Sequence, residues 1–171
     1  MANRQYKDGT TCLSVLITPT SFVVGNMGDC RCLLVRTESC VALTNDHRST
    51  TPSEYDRVRE KGGFFVNGMT NGVLALTRTL GDKELTNVVD TNPDIFVYHR
   101  QDNDLFLVVA CDGVWDVLSV GEVFQIVQTN KHLSSPSIAS LIRNIALCKG
   151  TTDNVSCIVC KLQPTQNSPP V

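Results

Sequence analysis

The sequence predicts an α+β fold, an antiparallel β-sandwich flanked by helices, on three observations. Short β-branched runs punctuated by Gly, Pro and Ser fill the first half of the chain, the pattern of a strand meander. Residues 106–111 are apolar without alternation, as a strand covered on both faces would be. Two later segments carry apolar residues at the helical period.

Taken in order, residues 12–17 form the first predicted strand, and a turn at Thr18-Pro19-Thr20 leads into a second over 22–26. A Gly28-Asp29 corner precedes strands over 31–36 and 40–44. Residues 54–61 predict a short helix, with Pro52 near its start, a basic last turn, and a stop at Gly62-Gly63. A strand over 64–66 meets a turn signal at Asn67-Gly68. Periodicity leaves residues 72–80 ambiguous, and the expectation is a strand passing into a helical turn; 83–93 reads as a loop. After the buried strand come helices over 122–129, with Val123, Ile126 and Val127 on one side, and over 137–149. In the second, Ile138, Leu141, Ile142 and Ile145 follow i, i+3, i+4, i+7, with Pro136 before and Gly150 after. A last strand covers 155–162, and the Pro/Gln/Ser-rich residues 163–171 are expected to be a disordered tail. No internal repeat is visible.

At 171 residues, 42% apolar and 19% charged, the chain predicts one soluble domain with a real core. Its formal charge of -2, with no basic run, argues against a nucleic-acid or anionic-membrane partner. The longest apolar run, 105–110, is too short to cross a bilayer. The N-terminal residues show no apolar signal core, so the expectation is an intracellular protein, cytoplasmic and/or nuclear. The eight cysteines are then expected to be free thiols. The single CxxC, Cys157 to Cys160, lies in a predicted strand, where residues three apart point to opposite faces and cannot pinch one zinc ion.

Three acidic residues share one design. Asp29 follows a strand through a Gly-Asn-Met-Gly corner, Asp112 follows the buried strand and precedes Gly113, and Asp153 precedes the last strand with Asn154 between. A strand end lets a side chain leave the core while its backbone stays fixed. Carboxylates at several such ends form an all-oxygen cluster that suits Mg²⁺ or Mn²⁺. Asp beside Gly or Asn is equally the chemistry of a turn, so the residues alone leave both alternatives open.

The series Asp8-Gly9-Thr10-Thr11, Gly25-Asn26-Met27-Gly28-Asp29-Cys30-Arg31, Leu43-Thr44-Asn45-Asp46-His47, Glu60-Lys61-Gly62-Gly63-Phe64, 74–82, Ala110-Cys111-Asp112-Gly113-Val114-Trp115-Asp116 and Asp153-Asn154-Val155-Ser156 is similar, in order and spacing, to the later motifs of type-2C metal-dependent serine/threonine protein phosphatases. The resemblance runs over 8–162 and implies hydrolysis of phosphoserine and phosphothreonine in phosphoproteins by a metal-activated water. It implies that Asp112 and Asp153 bind the first of two or three Mg²⁺ or Mn²⁺ ions, and that Asp29 with Asp112 holds a third. Asp82 and Asn154 would support the site, with Gly113 beside it; Trp115 and Asp116 would pack and cap. Residues 83–93 would be a shortened flap beside the substrate groove.

One departure matters. The family's early Asp-Gly motif, which bridges both metals, and its phosphate-gripping Arg have no counterpart in this sequence. The resemblance therefore implies a partial domain lacking the N-terminal strands and helices of the family fold, with exposed sheet edges that invite self-association or the missing segment. It implies either an enzyme that needs that segment for turnover or a pseudophosphatase acting as a binding or regulatory module.

Overall fold

The computed structural model describes residues 8–164. In chain order the strands are β1 (Gly9–Thr10), β2 (Cys12–Ile17), β3 (Ser21–Met27), β4 (Arg31–Arg36), β5 (Cys40–Ala42), β6 (Phe65–Val66), β7 (Met69–Thr70), β8 (Leu80–Gly81), β9 (Asp94–His99), β10 (Asp104–Ala110) and β11 (Cys157–Lys161). The helices are α1 (Pro52–Glu60), α2 (Asp112–Trp115), α3 (Val120–Thr129) and α4 (Ser135–Cys148), with a 3₁₀ turn at Lys83–Leu85. The fold is α+β with antiparallel sheets, and the chain divides into two compact units.

The first unit takes residues up to 14, 25–29 and 45–94. Pro52 opens α1, where its missing N–H costs nothing, and Gly62 at φ +82° ends the turn beyond it. One turn apart on α1, Glu54 and Val58 are both buried. Val58 packs with Val88 and Val89 against Phe65, Leu74 and Leu85, and the Tyr55 and Phe65 rings stack at 4.9 Å. The Asn67-Gly68 signal makes the β6–β7 hairpin, with both residues at positive φ (50° and 81°). The strand and helical turn expected over 72–80 do not form. Asn71 and Gly72, at φ 50° and 73°, turn the chain, and the backbone beyond bonds to scattered partners. Thr77 N–H donates to His47 O (2.9 Å) and Thr79 N–H to Asp90 O (3.0 Å), leaving isolated bridges and the two-residue β8, which pairs with β1. The expected loop over 83–93 contains the 3₁₀ turn.

The second unit takes residues 15–24, 30–44 and 95 onward. Its four-stranded sheet runs β11-β10-β4-β5, all antiparallel. Strand alternation turns Leu33, Val35, Phe106, Val108 and Ala110 towards α3 and α4, where Val123, Val127, Ile138, Ile142 and Ala146 complete one core. Cys32, Leu34 and Leu107 point the other way and are buried too, as are Phe22 and Val24 of β3, the signature of a two-sheet sandwich. Strands β2, β3 and β9 form a three-stranded sheet with β3 central. Strand β9 was not expected from the sequence.

Both long helices begin earlier than their apolar period suggests, because caps set their starts. Ser119 and Glu122 close a reciprocal capping box on α3, and Ser134 accepts from Ser137 N–H (3.3 Å) on α4, which carries Pro136 in its first turn. All eight cysteines are free thiols. Gln163 is the first residue of the expected tail, and its carbonyl accepts from Arg100 (2.5 Å); residues 165–171 lie outside the described range.

Candidate functional site

In the second unit, β10 and β11 deliver Asp112 and Asp153 to the same end of one ladder. The pairing ends with Ala110 opposite Cys157, and Cys111 N–H adds one more bond to Ser156 O (3.2 Å). The Cys111 thiol then fastens the loop before β11: it donates to Asn154 O and accepts from Ser156 N–H, each at 3.2 Å. Gly113 completes the closure. A Cβ built there would lie 2.2 Å from Asn154 O, so only glycine lets the two segments approach this closely. Asn154 N–H donates to Asp153 Oδ1 (2.6 Å), which fixes that carboxylate against its own turn. Beneath Asp112, the buried Trp115 indole donates to Ala110 O (2.8 Å), and the Arg31 guanidinium lies 5.9 Å from the ring centroid. Residues 110–116 and 153–157 are thus one rigid corner carrying two carboxylates.

In the first unit, Asp29 is almost wholly buried, 4% exposed, and Arg48 reaches its Oδ2 with both Nε (2.7 Å) and Nη2 (2.6 Å). The corner before it is clamped twice by His47. Gly28 N–H donates to His47 Nδ1 (2.9 Å), and His47 N–H donates to Gly28 O (3.0 Å). Because Nδ1 accepts, the ring proton sits on Nε2, which faces Asp94 Oδ2 at 3.1 Å. Asn26 ties the corner further, to Gly28 O (3.3 Å) and Asn45 O (2.9 Å). Gly28 adopts φ +116° with Thr11 against the space a Cβ would need (2.3 Å).

Asp94 belongs to a longer chain of charge. Arg78 Nη1 donates to Asp94 Oδ1 (2.7 Å), and Arg78 Nε and Nη2 donate to Glu54 Oε1 (3.0 and 2.6 Å). Glu54 Oε2 accepts from Arg57 (2.7 Å) and Thr77 Oγ1 (2.6 Å). Burial pushes the Glu54 carboxyl up, but hydrogen bonds from Arg78, Arg57 and Thr77 outweigh it and hold the group at about 2. Asp94 is likewise held below the ordinary carboxylate range, where burial opposes and His47 and Arg78 prevail. Asp82, at φ 45°, accepts from Thr79 Oγ1 (2.6 Å) and fills the space beside Gly9 in the β1–β8 pair.

The hard-oxygen donor set at the β10–β11 corner fits a cation that keeps most of its waters, which is how Mg²⁺ binds. Two carboxylates thus stand at one end of the β10–β11 ladder. Among the described residues no group of three or more His, Cys, Asp or Glu is gathered to hold a metal. A groove of about 600 Å³ lies elsewhere, lined by Leu118, Gln125, Ile126 and Ile145 among others, with the Glu122–Lys149 ion pair at its rim. Sequence reasoning gave no role to His47, Arg48, Glu54, Arg78, Asp94 or the Cys111 thiol. Their functions depend on partners 19 to 47 positions away, and no local pattern encodes such distances.

Comparison with known proteins gives the same answer from three directions. The family model for protein phosphatase 2C matches residues 1–155. The chain is 36% identical to Probable protein phosphatase 2C 13 of Arabidopsis thaliana over 94% of its own length and 44% of that protein's. It is 31% identical to protein phosphatase 1B of Rattus norvegicus, with 93% and 44% covered. Among solved structures, a C. elegans sex determining protein superposes with TM-score 0.86 at 27% identity, covering 95% of this chain and 42% of that one. A serine-threonine phosphatase 2C from Toxoplasma gondii superposes at 0.75 with 21% identity over 90% and 58%, a likeness of fold alone. The chain spans less than half the length of these curated relatives. It belongs to the protein phosphatase 2C family.

Proposed function

We propose that this chain is part of an intracellular, Mg²⁺- or Mn²⁺-dependent enzyme that hydrolyses phosphoserine and phosphothreonine in phosphoproteins. The observation that carries the proposal is the fastening of the Asp112 and Asp153 segments into one corner by Cys111, Gly113 and the β10–β11 ladder. When bound, the metal supplies positive charge that acidifies a water and offsets charge on the phosphoryl group. The chain's own part is placement. Asp112 and Asp153 would hold the cation from a backbone that does not need to reorganise, and preorganisation of this kind is what lowers a barrier. Asp29 would hold a further ion, with its corner positioned by His47 and Asn26. Eight free thiols accord with a reducing compartment, and among the described residues no helix is long and apolar enough to cross a membrane.

A second proposal, a module that binds without turnover, draws on the donor set, since among the described residues no group of three or more His, Cys, Asp or Glu is gathered to hold a metal. Leu16 of β2 and Ile95 and Val97 of β9 are 60% or more exposed, a surface that self-association or the complementary segment of the family domain would cover. The test is Mn²⁺-dependent release of phosphate from a phosphopeptide. It compares the chain alone, the chain fused behind the N-terminal half of the Arabidopsis relative's domain, and the fusion carrying Asp112→Asn. Activity in the fusion that Asp112→Asn abolishes supports the enzyme; a silent, folded fusion refutes it and leaves the binding module.

A further inference from the structure

We propose that Asp94 is a positioning residue for the corner that carries Asp29: with one oxygen committed to Arg78, it keeps the His47 ring proton on Nε2 and so leaves Nδ1 to hold Gly28. The inference rests on the role proposed for Asp29 and adds the residue that sets its support. His47 is 1% exposed, so its two ring nitrogens rely on protein partners. Nδ1 accepts from Gly28 N–H (2.9 Å), and Nε2 meets Asp94 Oδ2 (3.1 Å). A neutral imidazole donates from one nitrogen and accepts at the other. Burial works against charge on Asp94, but hydrogen bonds from His47 and Arg78 outweigh it. An ionised carboxylate only accepts, so it requires the proton on Nε2.

The other oxygen decides how strict this requirement is. Arg78 Nη1 donates to Asp94 Oδ1 (2.7 Å), and a guanidinium has no acceptor to offer. Asp94 satisfies both neighbours because it has two oxygens. An asparagine has one. That oxygen goes to Arg78, because a charge-assisted bond is roughly twice as strong as a neutral one, and the amide NH₂ then faces His47 Nε2. The ring must accept there, its proton moves to Nδ1, and Nδ1–H opposes Gly28 N–H, donor against donor. Alanine is gentler. The Asp94 side chain is 31% exposed, so water enters the space alanine leaves and accepts from Nε2–H, and Gly28 keeps its acceptor. A residue that merely packs would give the reverse ranking, with the near-isosteric Asn milder than Ala.

The experiment reads the His47 ring nitrogens by NMR and the Gly28 amide by hydrogen exchange, without added metal, in the wild type, Asp94→Asn and Asp94→Ala. The amides of β10 control for global unfolding. The expected result is Nε2–H in the wild type and Asp94→Ala, Nδ1–H in Asp94→Asn, and Gly28 exchange faster by about tenfold or more in Asp94→Asn alone. Nε2–H in Asp94→Asn, or Gly28 exchange as fast in Asp94→Ala as in Asp94→Asn, overturns the proposal. Should Asp94→Asn not fold, the wild type carries the test: a ring proton on Nδ1, or an Nε2 proton that exchanges as fast as in Asp94→Ala, overturns it. In the fusion with the Arabidopsis N-terminal half, the Mn²⁺ needed for half-maximal phosphate release is expected to rise about tenfold or more with Asp94→Asn and less with Asp94→Ala. An unchanged requirement beside a moved ring proton overturns the positioning role. A fusion that is silent with Asp94 intact refutes the phosphatase reading instead, and the ring and amide signals then decide on Asp94 by themselves.

Discussion

Replacing Gly113 by alanine places a methyl group 2.2 Å from the Asn154 carbonyl oxygen and 3.1 Å from its carbon. Ordinary contact needs about 3.4 Å or more, so the two segments must part by roughly 1 Å. The obstacle is backbone, which is held by the bonds of Cys111 to residues 154 and 156 and has no rotamer to escape into. The cost therefore belongs at the upper end of overpacking, about 2–3 kcal/mol. In a chain of this size that lowers Tm by about 5–10 °C. Gly121 on α3 is the control: its added methyl meets nothing within 4 Å, and alanine there stabilises by up to about 1 kcal/mol. Differential scanning calorimetry of the two variants, with Mn²⁺ titrations, reads both effects. If Gly113→Ala melts with the wild type and binds Mn²⁺ equally well, the two carboxylate segments are not packed as described, and the rigid-corner account is wrong.

Glu54→Gln breaks a buried charge shared with Arg78 and Arg57 and is expected to cost about 3–5 kcal/mol by urea unfolding. Because the folded carboxyl sits at about 2 against an ordinary 4.5, its contribution, about 3 kcal/mol, is fully present above pH 4.5 and is lost as pH falls towards 2. A wild-type stability curve steeper than that of Glu54→Gln across this window checks the sign. Burial pushes Cys32 and Cys157 up to about 12, whereas Cys12 and Cys148 are exposed. Mass spectrometry after brief iodoacetamide treatment at pH 8 should find the last two modified and Cys32 intact. Ser119→Ala removes one side of the α3 capping box and is expected to cost about 1 kcal/mol in the same urea assay.

How much the sequence disclosed depended on how local the determining contacts are. Residues 106–111 read as a doubly covered strand from their own apolar run, and that places Asp112, the next residue, at a strand end. The Asn67-Gly68 turn was legible for the same reason, since the backbone angles it needs are a property of those two residues. Residues 72–80 misled because their β-branched content suits a ladder, but the hydrogen bonds are taken singly by His47, Asp90 and Thr70. Strand β9 hid for the opposite reason: Ile95 and Val97 are apolar yet exposed, so no polar alternation marks it. Glu54 was legible only as the first residue of an expected short helix. Its burial is decided by Arg78, twenty-four positions later. The strand-end positions of Asp112 and Asp153 left a turn and a metal site equally open, and the ligand roles proposed for them, like that of Asn154, come from motif order.

The Cys111 sulfur both gives and receives a hydrogen bond across the gap between two chain segments. It works as a button rather than a filler, and its valences are already spoken for. Any group attached to that sulfur, a sulfenic oxygen or a glutathione, replaces the hydrogen given to the Asn154 carbonyl and so undoes that stitch. Chemistry at this one atom would loosen the loop between Asp153 and the last strand, while the backbone bond from Cys111 to Ser156 and the ladder beyond it stay in place.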